Sequence, residues 1–184
     1  ETRDPVARLP SAFTPLLHRD FRLLWTGSLV SSVGTWMQKV AQGWVVLTLT
    51  GSPFWLGVDA FLGDAPFLVF SLLGGVLADR AERRRILMAS QLVQMTTAFT
   101  LVALVVSGRV TLASILALSF TSGLAQAFGA PAFQSLFPSL VPARELPKAI
   151  ALNSIQFNLA RVVGPGLAGL AFDRIGAAGC MGLN

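Results

Sequence analysis

Five stretches of this chain are apolar for long enough to cross a bilayer, and this limits its fold more than any other feature. A transmembrane helix needs about 20 mainly apolar residues to span a hydrocarbon core of about 30 Å. Residues 23–49, 54–78, 86–106, 110–137 and 150–172 satisfy that length. The third and fourth runs hold no charge; the first holds only Lys39, the second Asp59 and Asp64, and the fifth Arg161. A sixth run opens near Ala177. Backbone groups in lipid must be satisfied within their own segment, so such runs predict helices. The expected fold is therefore an all-α polytopic bundle, with a polar lead-in over 1–20 and a transmembrane domain over 21–184. Composition agrees: 53% of residues are hydrophobic and 12% charged, against about 25% charged in soluble domains. That excludes a disordered chain and leaves too few ionic groups to cover a water-facing enzyme.

Gly51-Ser52-Pro53 and Ser107-Gly108-Arg109 are turn-forming clusters. Connections this short predict that successive helices are antiparallel neighbours. Pro138 to Lys148 reads as a polar surface turn. The lead-in contains Pro5, Pro10 and Pro15 and lacks the apolar core of a signal peptide. Lys and Arg near span ends set orientation. With the N-terminus inside, the inner segments carry Arg3, Arg8, Arg19, Arg22, Arg80, Arg83, Arg84, Arg85, Arg144 and Lys148. The outer segments carry only Arg109 and Arg174. The formal net charge of +5 thus marks a cytoplasmic face of a plasma membrane rather than a nucleic-acid surface. Trp25, Trp44 and Trp55 fall near span ends, where aromatic belts form.

No catalytic constellation competes with a membrane reading. His18 is the only histidine and reads as a headgroup-level residue; Cys180 is the only cysteine, so no intrachain disulfide or cysteine-rich metal site is expected. No phosphate-cradling glycine loop with Lys-Ser/Thr is present. The sequence calls for no cofactor, no metal and no enzymatic activity.

The loop after the second run reads Gly75-Val-Leu-Ala-Asp79-Arg80-Ala-Glu-Arg83-Arg84-Arg85. It resembles the signature loop of the major facilitator superfamily, G-x-L-A-D-R-x-G-R-R, with Glu82 in place of the second glycine. A stop-transfer flank needs only the arginines, not Gly75 and Asp79 at these spacings. The resemblance implies a latch that holds two transporter halves together on the cytoplasmic side, formed by Gly75, Asp79, Arg80, Arg83 and Arg84. In the fifth run, Ala151, Ala160, Gly164-Pro165 and Ala168-Gly169 partly match a pattern linked in that superfamily to exporters working as antiporters. Physically, small residues allow close helix approach, and Pro165 removes a backbone bond and predicts a kink. Gly34-Thr-Trp-Met-Gln38, Leu49-Thr-Gly51-Ser-Pro53, Asn153-Ser and Asn158-Leu-Ala-Arg161 extend the resemblance to the branch of enterobactin-type exporters and macrolide-efflux-type proteins. Members have about twelve spans, which implies an N-terminal portion here, with the second half of the transporter elsewhere.

Ionisable groups at a helix centre cost about 2.5–3.5 kcal/mol each on insertion scales and usually face a cavity or a partner. Lys39, Asp59, Asp64 and Arg161 sum to zero, which suggests pairing. At a rise of 1.5 Å per residue, Lys39 lies roughly 15 Å and Asp64 roughly 16 Å from the outer ends of their runs, with Asp59 at roughly 9 Å. Lys39 is therefore expected to pair with one of these acids, leaving the other to take a proton. A carboxyl that moves between apolar and cationic surroundings changes its proton affinity, which is how antiport could be coupled; the competing reading is a static structural pair. Gln38, Lys39 and Gln42 share a face of the first helix and are expected to line a substrate path with Arg161. Gln91 and Gln94 read as packing or lipid-facing residues.

Taken together, these features predict a secondary transporter exporting a small organic molecule, siderophore- or drug-like, by alternating access, with proton antiport as its coupling. The expected partners are the lipid bilayer, the small-molecule substrate, protons and the second half; nucleic acid is not among them. An importer on the same fold is the first alternative. A membrane module that binds without transporting is the second.

Overall fold

The structure is a computed structural model describing residues 11–80 and 82–182. After a 3-10 segment at Ser11–Leu17 come α1 (Arg19–Thr50), α2 (Pro53–Arg80), α3 (Arg83–Val106) and α4 (Leu112–Gln134). The short α5 (Phe137–Leu140), a 3-10 turn at Ala143–Glu145 and α6 (Leu146–Gly182) follow. No strand occurs among the described residues.

Local sequence explains the breaks. α1 stops at Gly51, which adopts a left-handed conformation (φ 61°) and donates its N–H to Leu47 O at 2.8 Å, as C-terminal glycines do. Pro53 then opens α2, where its missing N–H costs nothing. α4 starts with a capping box: Ser114 N donates to Thr111 Oγ1 at 3.2 Å, and Thr111 N to Ser114 Oγ at 3.0 Å.

The apolar fifth run lies in α6, but its break is not where proline predicts it. The backbone keeps helical angles through Pro165 and departs from them at Gly176 (φ 64°, ψ −176°). Proline's fixed φ is compatible with a helix, whereas a left-handed residue reverses the chain. Beyond Gly176 the chain turns back, and Cys180 Sγ comes within 3.9 Å of Ala168 O, twelve residues earlier. The run that opens near Ala177 is therefore helical and doubles back on the end of the fifth.

Among the described residues three helices, α2, α3 and α4, are both long and apolar enough to cross a membrane by composition. α1 and α6 are longer, but Gln38, Lys39 and Gln42 interrupt one, and Asn153, Gln156, Asn158 and Arg161 the other. Of the five apolar runs expected to cross the bilayer, those in α2, α3 and α4 thus meet the condition of length and composition.

The helices form two layers. α1 packs along α6, α2 packs along α4, and α3 covers α4. Of the two pairs joined by short turns, α3 and α4 pack closely as neighbours, whereas α1 and α2 touch only lightly. Glycines explain the strong pairings. A Cβ on Gly123 of α4 would collide with the Gly63 carbonyl of α2. One on Gly164 of α6 would lie 2.5 Å from Trp36 Cβ and 2.9 Å from Val33 O of α1. Two apolar clusters close the ends of the layers. Phe21, Val141, Ala149 and Leu152 are buried at one; Ala41, Val45, Val46, Leu101, Ile115, Cys180 and Met181 are buried at the other. Between them the layers part.

Candidate functional site: a polar cavity between the helix layers

The gap encloses a cavity of about 1270 Å³ bordered by α1, α2, α3, α4 and α6. Its polar centre is Asp59 of α2, which is 8% exposed. Ser119 of α4 donates its hydroxyl to Asp59 Oδ1 at 2.5 Å, and Gln42 of α1 donates Nε2 to Asp59 Oδ2 at 2.8 Å. Gln42 Nε2 also reaches Ser119 Oγ at 2.8 Å. Three helices thus meet in a closed triangle, and both carboxylate oxygens are held by protein donors. Such charge-assisted bonds are stronger than neutral ones, and they offset the cost of burying the carboxylate.

Lys39, one turn before that triangle, lies with Nζ 3.7 Å from Asp64 Oδ1. The two side chains are 55% and 75% exposed, so this is a loose pair worth at most about 1 kcal/mol. Lys39 Nζ also sits 5.3 Å from the centre of the Trp36 ring. Gln38, Lys39, Gln42, Asp59 and Asp64 all border the cavity. Arg161 does not. It is exposed, and its guanidinium carbon lies 5.6 Å from the Trp36 ring centre. Among the described residues no carboxylate pairs with it; within this chain it lies against an indole face, an interaction of about 0.5–1 kcal/mol.

Three glutamines join the site that the sequence reading did not place there. Gln156 of α6 is 3% exposed and donates to Ser28 O at 3.0 Å and Ser32 Oγ at 2.8 Å of α1. Gln91 and Gln94 border the cavity rather than lipid, and Gln94 Nε2 donates to Ser90 Oγ at 3.0 Å. A helical-wheel comparison with Ser90 and Thr97 could have placed both glutamines on a polar face.

The side chains of Asp79 and Arg80, in the signature-like loop, lie outside the described residues. Arg83 Nη1 donates to Ser135 O at 3.0 Å, where α4 ends, a favourable site for a cation. Arg84 is exposed, and Arg85 pairs with Glu82 at 2.5 Å. A Cβ on Gly75 would meet nothing within 4 Å. The close approach belongs instead to Gly74, where a Cβ would collide with the Ala127 carbonyl. Gly169 is likewise open, so of the two glycines in the antiporter-like set it is Gly164 that forms a tight contact with α1. His18 Nε2 lies 2.9 Å from Glu145 Oε2, which joins the start of α1 to the turn before α6. The described residues hold no group of three or more His, Cys, Asp or Glu that could bind a metal.

Residues 10–184 match the family described as transmembrane secretion effector. The chain is 26% identical over 153 residues to macrolide efflux protein A of Streptococcus pyogenes, covering 83% of this chain and 38% of that protein. Against the staphyloferrin A transporter of Staphylococcus aureus the identity is 25% over 158 residues, 81% of this chain and 38% of the relative. Against the enterobactin exporter of Salmonella typhimurium it is 27% over 169 residues, 90% and 40%. The matched region is thus about two fifths of each of these relatives. No solved structure matches the chain. A membrane-embedded helical chain matched over residues 10–184 belongs to the transmembrane secretion effector family of the major facilitator superfamily, and corresponds to an N-terminal portion of such a transporter.

Proposed function

We propose that this chain forms the N-terminal half of a secondary exporter that moves a small organic molecule out across the plasma membrane by alternating access. In this reading α1 and α6 span the bilayer with α2, α3 and α4, their polar faces turned to the cavity and the N-terminus in the cytoplasm. The observation that carries it is the buried Asp59–Gln42–Ser119 triangle inside a large polar cavity within an otherwise apolar bundle. A transporter needs groups at mid-depth that a substrate or proton can engage, and ionisable residues within membrane helices usually serve that end. The efflux proteins among the relatives, and the partial antiporter-like pattern at Gly164, Pro165 and Gly169, support export over import.

The coupling we infer is proton antiport. Asp59 is the carrier, and the loose Lys39–Asp64 pair opens and closes beside it as the halves rock. Asp79, Arg80, Arg83 and Arg84 latch the cytoplasmic side. The test is accumulation of a panel of amphipathic fluorescent dyes, of either charge, in efflux-deficient cells expressing the gene that encodes this chain. Accumulation of at least one dye should fall on expression and recover when a protonophore collapses the gradient. Asp59→Asn should abolish the effect. Higher accumulation on expression would make the protein an importer. Unchanged accumulation of every dye would favour the non-transporting module.

A further inference from the structure

We infer that the shelf formed by Trp36, Phe157 and Arg161 at the cavity's edge binds the substrate, and that the substrate is an organic anion carrying an aromatic ring. This rests on the transporter reading above and names the ligand class of its cavity.

Of the charges at mid-depth among the described residues, Arg161 is the one left available. Asp59 is buried with both oxygens engaged by Ser119 and Gln42. Asp64 is held beside Lys39. Arg161 has no carboxylate partner among the described residues, and it is exposed near the middle of α6. A guanidinium at that depth is too costly to leave in lipid, so this face of α1 and α6 borders water or protein.

Trp36 makes the shelf selective. Two cations, Lys39 Nζ at 5.3 Å and Arg161 Cζ at 5.6 Å, flank the same indole. Phe157 meets that indole edge-on, with ring centres 6.1 Å apart. A cationic ligand approaching the indole is repelled by both side chains. An oxyanion instead receives the planar guanidinium fork, which suits carboxylates, phenolates and sulfonates. A ring attached to that oxyanion falls against Trp36 and Phe157, where offset or edge contacts are favourable.

The experiment measures binding to the purified protein from the gene that encodes this chain, with four naphthalene- or cyclohexane-sized probes. These are 2-naphthoate, 2-naphthylmethanol, 2-naphthylmethylammonium and cyclohexanecarboxylate. 2-Naphthoate should bind about tenfold tighter than the alcohol and the ammonium, the scale of one charge-assisted contact, and several-fold tighter than cyclohexanecarboxylate, which keeps that contact but lacks the aromatic face. Arg161→Gln should erase its advantage over 2-naphthylmethanol while leaving the alcohol's affinity within about twofold, which also reports that the site is folded. Arg161→Lys should restore only part of it. Trp36→Leu should weaken the three naphthalenes and leave cyclohexanecarboxylate alone. Preference for the ammonium probe, or an anion preference that survives Arg161→Gln, would overturn the inference. Dye export with no naphthoate binding would sink the shelf and leave the exporter standing; naphthoate binding without export of any dye would do the reverse.

Discussion

Removing the Asp59 carboxylate should loosen the tie between α1 and the α2–α4 layer, and the size of the effect follows from the geometry. Asp59→Ala deletes two acceptors, one 2.5 Å from Ser119 Oγ and one 2.8 Å from Gln42 Nε2. A bond to a charged acceptor contributes about 1.5–3 kcal/mol, so a naive sum reaches about 3–6 kcal/mol. Two effects reduce it. The variant no longer buries a charge, and cavity water can rebind the freed donors. Polar pairs between membrane helices average about 0.6 kcal/mol in double-mutant cycles, with a maximum near 1.7 kcal/mol. A charged, 8% exposed acceptor belongs at the upper end, so we expect an Asp59–Gln42 coupling of about 1–1.7 kcal/mol. The assay is a thermal or denaturant titration in detergent of wild type, Asp59→Ala, Gln42→Ala and the double variant, with coupling taken from the cycle. The same cycle on Lys39 and Asp64, a 3.7 Å pair with both side chains more than half exposed, should give only about 0–0.5 kcal/mol. Equal couplings for the two pairs, or a larger one for Lys39–Asp64, would refute the view that the triangle, rather than the ion pair, ties the layers together.

Two further outcomes follow from packing. Gly123→Ala should destabilise by about 1–3 kcal/mol, because its Cβ meets the Gly63 carbonyl, while Gly57→Ala, with nothing within 4 Å, should be neutral or stabilising; melting curves of both variants check this. Gln156→Leu should cost about 1–2 kcal/mol, because two buried donor contacts to Ser28 and Ser32 disappear; hydrogen exchange should then rise along 28–36 and 152–160 and stay unchanged in α3.

Much of the architecture is legible in the sequence because hydropathy, helix length and loop length are local quantities. The helices around the five apolar runs and the polar interruptions at Lys39 and Arg161 could be read directly. Depth counting also brought Lys39 level with Asp64, since rise per residue is fixed along each helix. What could not be read is which helix lies beside which. α1 chooses α6 over α2 because Gly164 lets the backbones close up, a choice that depends on shape across more than a hundred residues of chain. The partner of Asp59 was equally hidden. Ser119 is one of several hydroxyls in α4, and only the α2–α4 contact through Gly63 and Gly123 singles it out. Arg161 was expected to seek an acid and instead lies against Trp36, because an aromatic face carries no formal charge for sequence arithmetic to count. Gly176, not Pro165, breaks α6, since a positive φ reverses a helix more sharply than a missing N–H.

An exporter of this kind requires the gap between the α1–α6 and α2–α4 layers to be a water-filled pathway inside a membrane-embedded bundle. Thiol accessibility in intact cells tests it most directly. The background is a cysteine-free form of the expressed protein, in which Cys180, the one cysteine of this chain and a buried one, is replaced by alanine. Ser122→Cys lines the cavity, whereas Phe99→Cys sits on the outer face of α3, where the phenylalanine is 60% exposed. A small, water-soluble maleimide should label Ser122→Cys at least about tenfold faster than Phe99→Cys, because thiolates form and react in water and not in hydrocarbon. Comparable rates, or faster labelling at position 99, would contradict the claim.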